Sequence, residues 1–224
     1  MMQIYPVEER LDPTLIREIQ AIETATIGHF MPSACMKQEF RSSLEESRIV
    51  GQAVTVRIPS IDSTLCHKVV EIARPGDIIV IDRCGDIIHA CWGAAMTLAA
   101  SLKKVAGAVI DGSVTDILDI RKMEFPVYYR RLSPLTTRIL GLEGEINVPV
   151  QCGGLVVNPG DLVIADVNGV CVLPPASALT VIDYAAREQE KEKEQFEMMI
   201  RGTTLASLSG ADSKIPSEAF KTKA

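Results

Sequence analysis

The chain has 224 residues, 47% hydrophobic and 23% charged, with 23 Lys plus Arg against 29 Asp plus Glu for a formal net charge of -6. That length suits one large domain or two small ones and supplies enough apolar side chains for a self-sufficient core. Mild acidity, with no basic block beyond Tyr129-Arg130-Arg131, argues against general affinity for nucleic acid or an anionic membrane.

Six cysteines (35, 66, 84, 91, 152, 171) occur without a CxxC pair, too sparse for a disulfide-stapled scaffold. Met1 to Arg10 carries three charges and no apolar core, unlike a signal peptide. The longest apolar stretch, Met96 to Ile110, is broken by Lys103-Lys104, so no membrane span is expected. A soluble, reduced, cytoplasmic protein is the expectation.

In chain order, Asp12-Pro13 followed by Leu15, Ile16, Ile19 and Ile22 predicts a helix capped by Asp12. A short helix is expected from Thr26 to Ala34, a strand from Gly51 to Ile58, and a helix from Ser63 to Ala73. Pro75-Gly-Asp-Ile-Ile-Val-Ile-Asp82 then returns as Pro159-Gly-Asp-Leu-Val-Ile-Ala-Asp166, each a turn, a buried strand and a closing Asp. Between the copies, a helix (Gly93 to Lys104), a strand (Val105 to Asp111), a helical turn or two (Asp116 to Met123) and a strand (Pro126 to Tyr129) predict parallel strands with helical crossovers. Around the second copy strands succeed one another directly, which favours an antiparallel layer. Ala176 to Arg201 reads as a long helix with Glu188–Lys191 and Glu190–Lys193 pairs. The expected organisation is one domain over 1–205 and a flexible tail over 206–224.

Polar residues concentrate in Asp82-Arg-Cys-Gly-Asp86, His89-Ala-Cys91-Trp92-Gly93 and Asp111-Gly-Ser-Val-Thr-Asp116, at the carboxyl ends of expected strands. Such ends, and the helix N-termini next to them, collect anionic ligands in open α/β sheets. Gly93 permits close backbone approach there. Asp116 reads either as a metal ligand or as the N-cap of the helix behind it. Cys84, His89 and Cys91 are a conceivable soft-metal set, but their spacing matches no structural zinc pattern.

The runs Trp92-Gly-Ala-Ala-Met-Thr-Leu-Ala-Ala, Gly107-Ala-Val-Ile-Asp-Gly-Ser-Val-Thr-Asp116 and Phe125-Pro-Val resemble the RraA-like family. Val148-Pro-Val, Cys152-Gly-Gly, Pro159-Gly-Asp and Ala165-Asp166 extend the resemblance, which covers about Thr24 to Leu205. The family holds regulators of ribonuclease activity and 4-hydroxy-4-methyl-2-oxoglutarate aldolases. The resemblance implies an α/β fold, a swivelling-type β/β/α sandwich, assembled as a homotrimer or hexamer with sites between subunits. It also implies a divalent-metal lyase, of aldolase or decarboxylase type, acting on a small 2-oxo or hydroxy acid.

The aldolase signature is an Asp, twenty intervening residues, then Arg-Asp. Here Asp116 matches the metal Asp, whereas Thr115 stands at the Arg position and Ala94 at the first Asp. A neutral Thr cannot replace a planar charged fork. The resemblance therefore implies Mg²⁺ or Mn²⁺ at Asp116. For the substrate carboxylate, the residues themselves suggest the backbone at Gly93 and Ala94, the Thr115 hydroxyl, and Arg83, on the loop after the first Pro-Gly-Asp strand, as a replacement cation. The alternative is a non-catalytic regulatory protein that binds a protein partner, with the charged helix Arg187–Glu197 as one candidate surface.

Overall fold

The computed structural model describes residues 1–7, 10–37, 39–59, 61–216 and 219. Strand β1 (Met2–Ile4) precedes helix α1 (Pro13–Ile19), where the Asp12 carboxylate accepts from the Thr14 N–H at 2.7 Å as its cap. Helix α2 (Thr24–Phe30) stops short of the expected end and gives way to a 3₁₀ turn, Pro32–Ala34, because Pro32 has no N–H to continue an α-helical ladder. Then come β2 (Arg41–Ser42), β3 (Ile49–Arg57), α3 (Thr64–Ile72), β4 (Ile78–Asp82), β5 (Ala90–Trp92), α4 (Ala94–Leu102), β6 (Gly107–Val114), α5 (Ile117–Lys122) and β7 (Val127–Leu132). Strands β8 (Gly144–Ile146), β9 (Val150–Cys152), β10 (Leu155–Val157), β11 (Leu162–Asp166) and β12 (Gly169–Leu173) lead into α6 (Pro175–Ile200) and α7 (Leu205–Ser209).

The expected crossovers are present: β3, β4, β6 and β7 pair in parallel, joined by α3, α4 and α5. So is the antiparallel layer, in which β11 pairs with both β12 and the first half of β3. Nine residues long, β3 thus belongs to two layers and joins them.

Burial on both strand faces explains the apolar runs. On β4, Ile79 and Ile81 face α3 and α4, while Ile78 and Val80 face β11 and β12. On β11, Val163 and Ala165 meet that inner layer, whereas Leu162 and Ile164 pack under α1, α2 and α6 with Ile19, Ile27 and Ala178. The arrangement is a mixed α/β fold of helices, sheet, second β layer and helices. Burying a side chain such as Ile81 contributes about 1.5–3 kcal/mol.

The second half of α6 is exposed, with Lys193–Glu190 at 2.9 Å and Lys191–Glu188 at 3.5 Å, the i,i+3 pairs its sequence predicts. The segment expected as a flexible tail contains α7 and a 3₁₀ turn (Asp212–Lys214); positions 217, 218 and 220–224 lie outside the described residues. Among the described residues no helix is long and apolar enough to cross a membrane.

Candidate functional site

Two strand ends meet at the N-terminus of α4. Strand β5 runs parallel to the end of β6, and Thr115 donates its N–H to the Trp92 carbonyl at 2.9 Å, which lays Thr115-Asp116 across Gly93-Ala94. Trp92 is fixed by its Nε1–H to Thr97 Oγ1 (2.9 Å). Asp116 has φ +54°, ψ +35°, a left-handed conformation that short polar Asp tolerates.

That turn bears on the reading of Asp116 as a cap for α5. Although it holds the N-cap position of α5, its side chain makes no bond to that helix. Instead its Oδ2 accepts the Ala94 N–H at 3.0 Å, at the positive end of α4. Among the described residues its Oδ1 takes only a 3.3 Å contact from the Thr115 hydroxyl. Gly93 allows this close approach: a Cβ would lie 2.6 Å from Asp116 Oδ2 and 2.8 Å from Thr115 Cγ2, so a larger residue would displace those side chains. The expectation that the Ala94 N–H cradles a substrate carboxylate is corrected, because the Asp116 carboxylate already takes it.

A cavity of about 340 Å³ opens beside this junction, lined among others by His67, Cys91, Gly93, Thr115, Asp116 and Arg138. Arg138 comes from the irregular segment after β7. Its Nη1 donates to the Thr136 carbonyl (3.3 Å), Thr136 Oγ1 (2.9 Å) and the Thr137 carbonyl (3.2 Å). The segment is tied down by fully buried Asp62, which accepts the N–H groups of Thr64 (2.9 Å), Leu140 (3.1 Å) and Leu142 (2.6 Å) and the Thr64 hydroxyl (2.5 Å). Burial alone would raise the Asp62 pKa, but these hydrogen bonds outweigh it and hold the carboxyl well below its ordinary range.

Arg83 is elsewhere. The expectation that it reaches the crevice fails: it is fully buried, with Nη2 on Asp86 Oδ2 at 2.6 Å and Nη1 on the Ile58 carbonyl at 3.3 Å. Gly112 makes room for it, since a Cβ there would lie 2.4 Å from Arg83 Cγ. Asp86 also meets His89 Nδ1 at 2.9 Å. Burial raises the Asp86 pKa, but the N–H groups of Ile88 and His89, the His89 ring and the Arg83 charge together lower it. Two other carboxylates of the polar runs dock the β9–β10 ribbon, Asp82 accepting the Gln151 N–H (3.1 Å) and Asp111 that of Gly153 (2.9 Å).

Cys84, His89 and Cys91 do not gather: among the described residues no group of three or more His, Cys, Asp or Glu side chains is placed to hold a metal. Zinc, which takes three or four protein ligands, therefore does not fit. One carboxylate whose Oδ1 is weakly engaged, beside a hydroxyl, does fit a Mg²⁺-type ion that keeps most of its waters. Sequence reasoning assigned Asp116, Thr115, Gly93 and Ala94 to one place, and they are together. Arg138 was missed, since nothing in its aperiodic segment signals a site; Asp62 was missed although Asp-Ser-Thr before a helix is a capping signal.

Residues 16–172 match the RraA-like family, described as Aldolase/RraA. An uncharacterised protein of Methanocaldococcus jannaschii is 38% identical over 165 residues, 72% of this chain and 78% of its own length. The protein named 4-hydroxy-4-methyl-2-oxoglutarate aldolase of Thermus thermophilus is 30% identical over 135 residues, 60% of this chain and 81% of its own. Streptomyces coelicolor RraAS2, described as an unusual member of the RNase ES inhibitor RraA protein family, superposes with a TM-score of 0.74 at 26% identity, covering 88% of this chain and 100% of that one.

Proposed function

This chain belongs to the RraA-like family, and from that premise we propose that it is a divergent lyase acting on a small 2-oxo or hydroxy acid in the cytoplasm. The observation that carries the reading is that Arg138 lines the same cavity as Thr115 and Asp116. The signature guanidinium is lost at Thr115, and Arg138 supplies another. With Nη1 held by Thr136 and Thr137, its remaining N–H groups are free, among the described residues, to grip a substrate carboxylate.

Asp116 would hold Mg²⁺ or Mn²⁺ through the oxygen that Ala94 does not engage. When bound, such an ion would supply Lewis-acid stabilisation of the enolate charge that develops as the C3–C4 bond of the 2-oxo acid breaks. The Thr115 hydroxyl, beside Asp116 Oδ1, orients a substrate oxygen. Exposed His67 also lines the cavity, with ring nitrogens that can hydrogen-bond a substrate oxygen. A homotrimer or hexamer belongs to the same proposal: Leu135, Ile139, Leu140 and Leu142 are exposed on the segment that carries Arg138, an apolar rim suited to a second copy.

The test is pyruvate release from oxaloacetate and 4-hydroxy-2-oxo acids with Mg²⁺ or Mn²⁺, repeated with chelator. Turnover is expected only with metal, Asp116→Asn abolishes it, and Arg138→Gln lowers kcat/KM by about 100-fold. Absence of turnover in the folded oligomer overturns the lyase reading. One observation favours the alternative, a non-catalytic binding protein: Asp116 is already engaged in capping α4, a purely structural role.

A further inference from the structure

We propose that Cys35 and Cys171 form a thiol–disulfide exchange site, which a small disulfide such as oxidised glutathione converts to an intramolecular disulfide. The pair lies where β12 packs under α1, α2 and α6, on the far side of β11 and β12 from α4, so it does not rest on the lyase reading. Their Sγ atoms are 3.0 Å apart although 135 residues intervene in sequence.

The backbone is already arranged for the bond. Cys35 opposes Cys171 in an antiparallel bridge, and the neighbouring pair supplies the hydrogen bond, Met36 N–H to the Val170 carbonyl at 2.9 Å. Cys35 and Cys171 are therefore a non-hydrogen-bonded pair, the kind whose Cα atoms lie about 4.5 Å apart with side chains closest. That separation falls inside the range of disulfides, about 4.4–6.8 Å. The two thiols are also unequal. Cys35 is half-buried and reachable, whereas Cys171 is buried on β12, where burial, the Cys35 thiol and the Asp166 charge all push its pKa up.

The inequality assigns the roles. The Cys35 thiolate attacks one sulfur of the small disulfide; a Cys35 Sγ–S bond forms, the small S–S bond breaks, and one small thiolate leaves. Cys171 then gives its proton to that thiolate, and its Sγ attacks Cys35 Sγ, expelling the second small thiolate, which takes up from solvent the proton that Cys35 released on ionising. Two protein thiols are oxidised to one disulfide, and the small disulfide is reduced to two thiols. The product clamps the arm of α1, α2 and the 3₁₀ turn onto β12.

The experiment treats the folded full-length chain with oxidised glutathione, alkylates the remaining thiols and maps the peptides by mass. The expected result is a Cys35–Cys171 cross-linked peptide with no glutathione retained at either position, reversed by dithiothreitol. Cys171→Ser should trap glutathione on Cys35, and Cys35→Ser should abolish modification of Cys171. Oxidation should raise the wild-type melting temperature by roughly 5–10 °C and leave Cys35→Ser unchanged. Glutathione retained on wild-type Cys35, a cross-link to another cysteine, or both thiols still alkylatable would overturn the assignment. Peptide mapping of the wild type decides this even if a variant fails to fold, and adducts on exposed Cys84 are resolved as separate peptides.

Discussion

The two Pro-Gly-Asp units share a sequence pattern and a partner, yet are used in opposite ways. Both β4 and β11 are buried along their whole length, and both pair with β3, one in parallel with its second half and the other antiparallel with its first. Each turn also abuts β3: the Gly76 carbonyl faces Gly51, and the Gly160 carbonyl accepts from Gln52 Nε2 at 3.2 Å. After β4 the chain enters the Arg83-to-Gly93 segment that leads to α4, whereas after β11 it turns tightly through Asn168 into β12. The motif specifies a turn and a strand buried on both faces. Strand direction and the onward path of the chain depend on the neighbours.

That contrast can be broken most forcefully at the first turn. In Gly51→Ala the new Cβ would lie 2.2 Å from the Gly76 carbonyl oxygen, a backbone atom that cannot rotate away. A loss of about 3 kcal/mol or more is expected in urea unfolding. A loss below about 1 kcal/mol would show that the first turn is not pressed against β3.

The carboxylates of the two turns give the next effect. Asp77 accepts the Arg74 N–H at 2.8 Å and pairs with Arg10, while Asp161 accepts the Asn158 N–H at 2.7 Å and, among the described residues, pairs with no arginine. Asp77→Ala should cost about 2–3 kcal/mol and Asp161→Ala about 1 kcal/mol. Equal losses would mean that the Arg10 pair adds nothing.

The smallest effect is a pH dependence. Burial raises the Asp161 pKa above its ordinary 3.8, against the opposing bonds from Asn158, so the folded state holds this proton more tightly than the unfolded one. The stability this group contributes is present at low pH and is lost as pH rises from 3.8 through the folded value. Asp161→Asn keeps an acceptor for the Asn158 N–H and removes the buried charge. Its stability relative to wild type should therefore increase between about pH 4 and pH 7, by under about 1 kcal/mol. A difference that shrinks over that interval contradicts the assignment.

Much of the fold is legible because local patterns carry it. The two units, the crossover helices and the antiparallel return at β12 all stem from turn residues and burial on both strand faces. Part of the site is legible for the same reason: Gly93, Ala94, Thr115 and Asp116 flank a helix start and a strand end, and the losses at Ala94 and Thr115 can be read directly. Arg83 misled because a loop arginine after a strand looks available. The missing Cβ of Gly112 gives it a buried slot, and Asp86 neutralises it there.

By itself, then, the amino-acid sequence determined the elements, the mixed α/β class, the family resemblance and the altered signature, since these rest on local propensity and on residue identity. Tertiary structure alone decided which groups meet. The Asp62 hydrogen bonds bring Arg138 to a cavity beside Asp116, 22 positions away in sequence. The left-handed turn at Asp116 sends its carboxylate to α4 instead of α5, and a β-bridge sets Cys35 against Cys171. Contacts of that range are fixed by packing and by the satisfaction of buried polar groups, which no local pattern encodes.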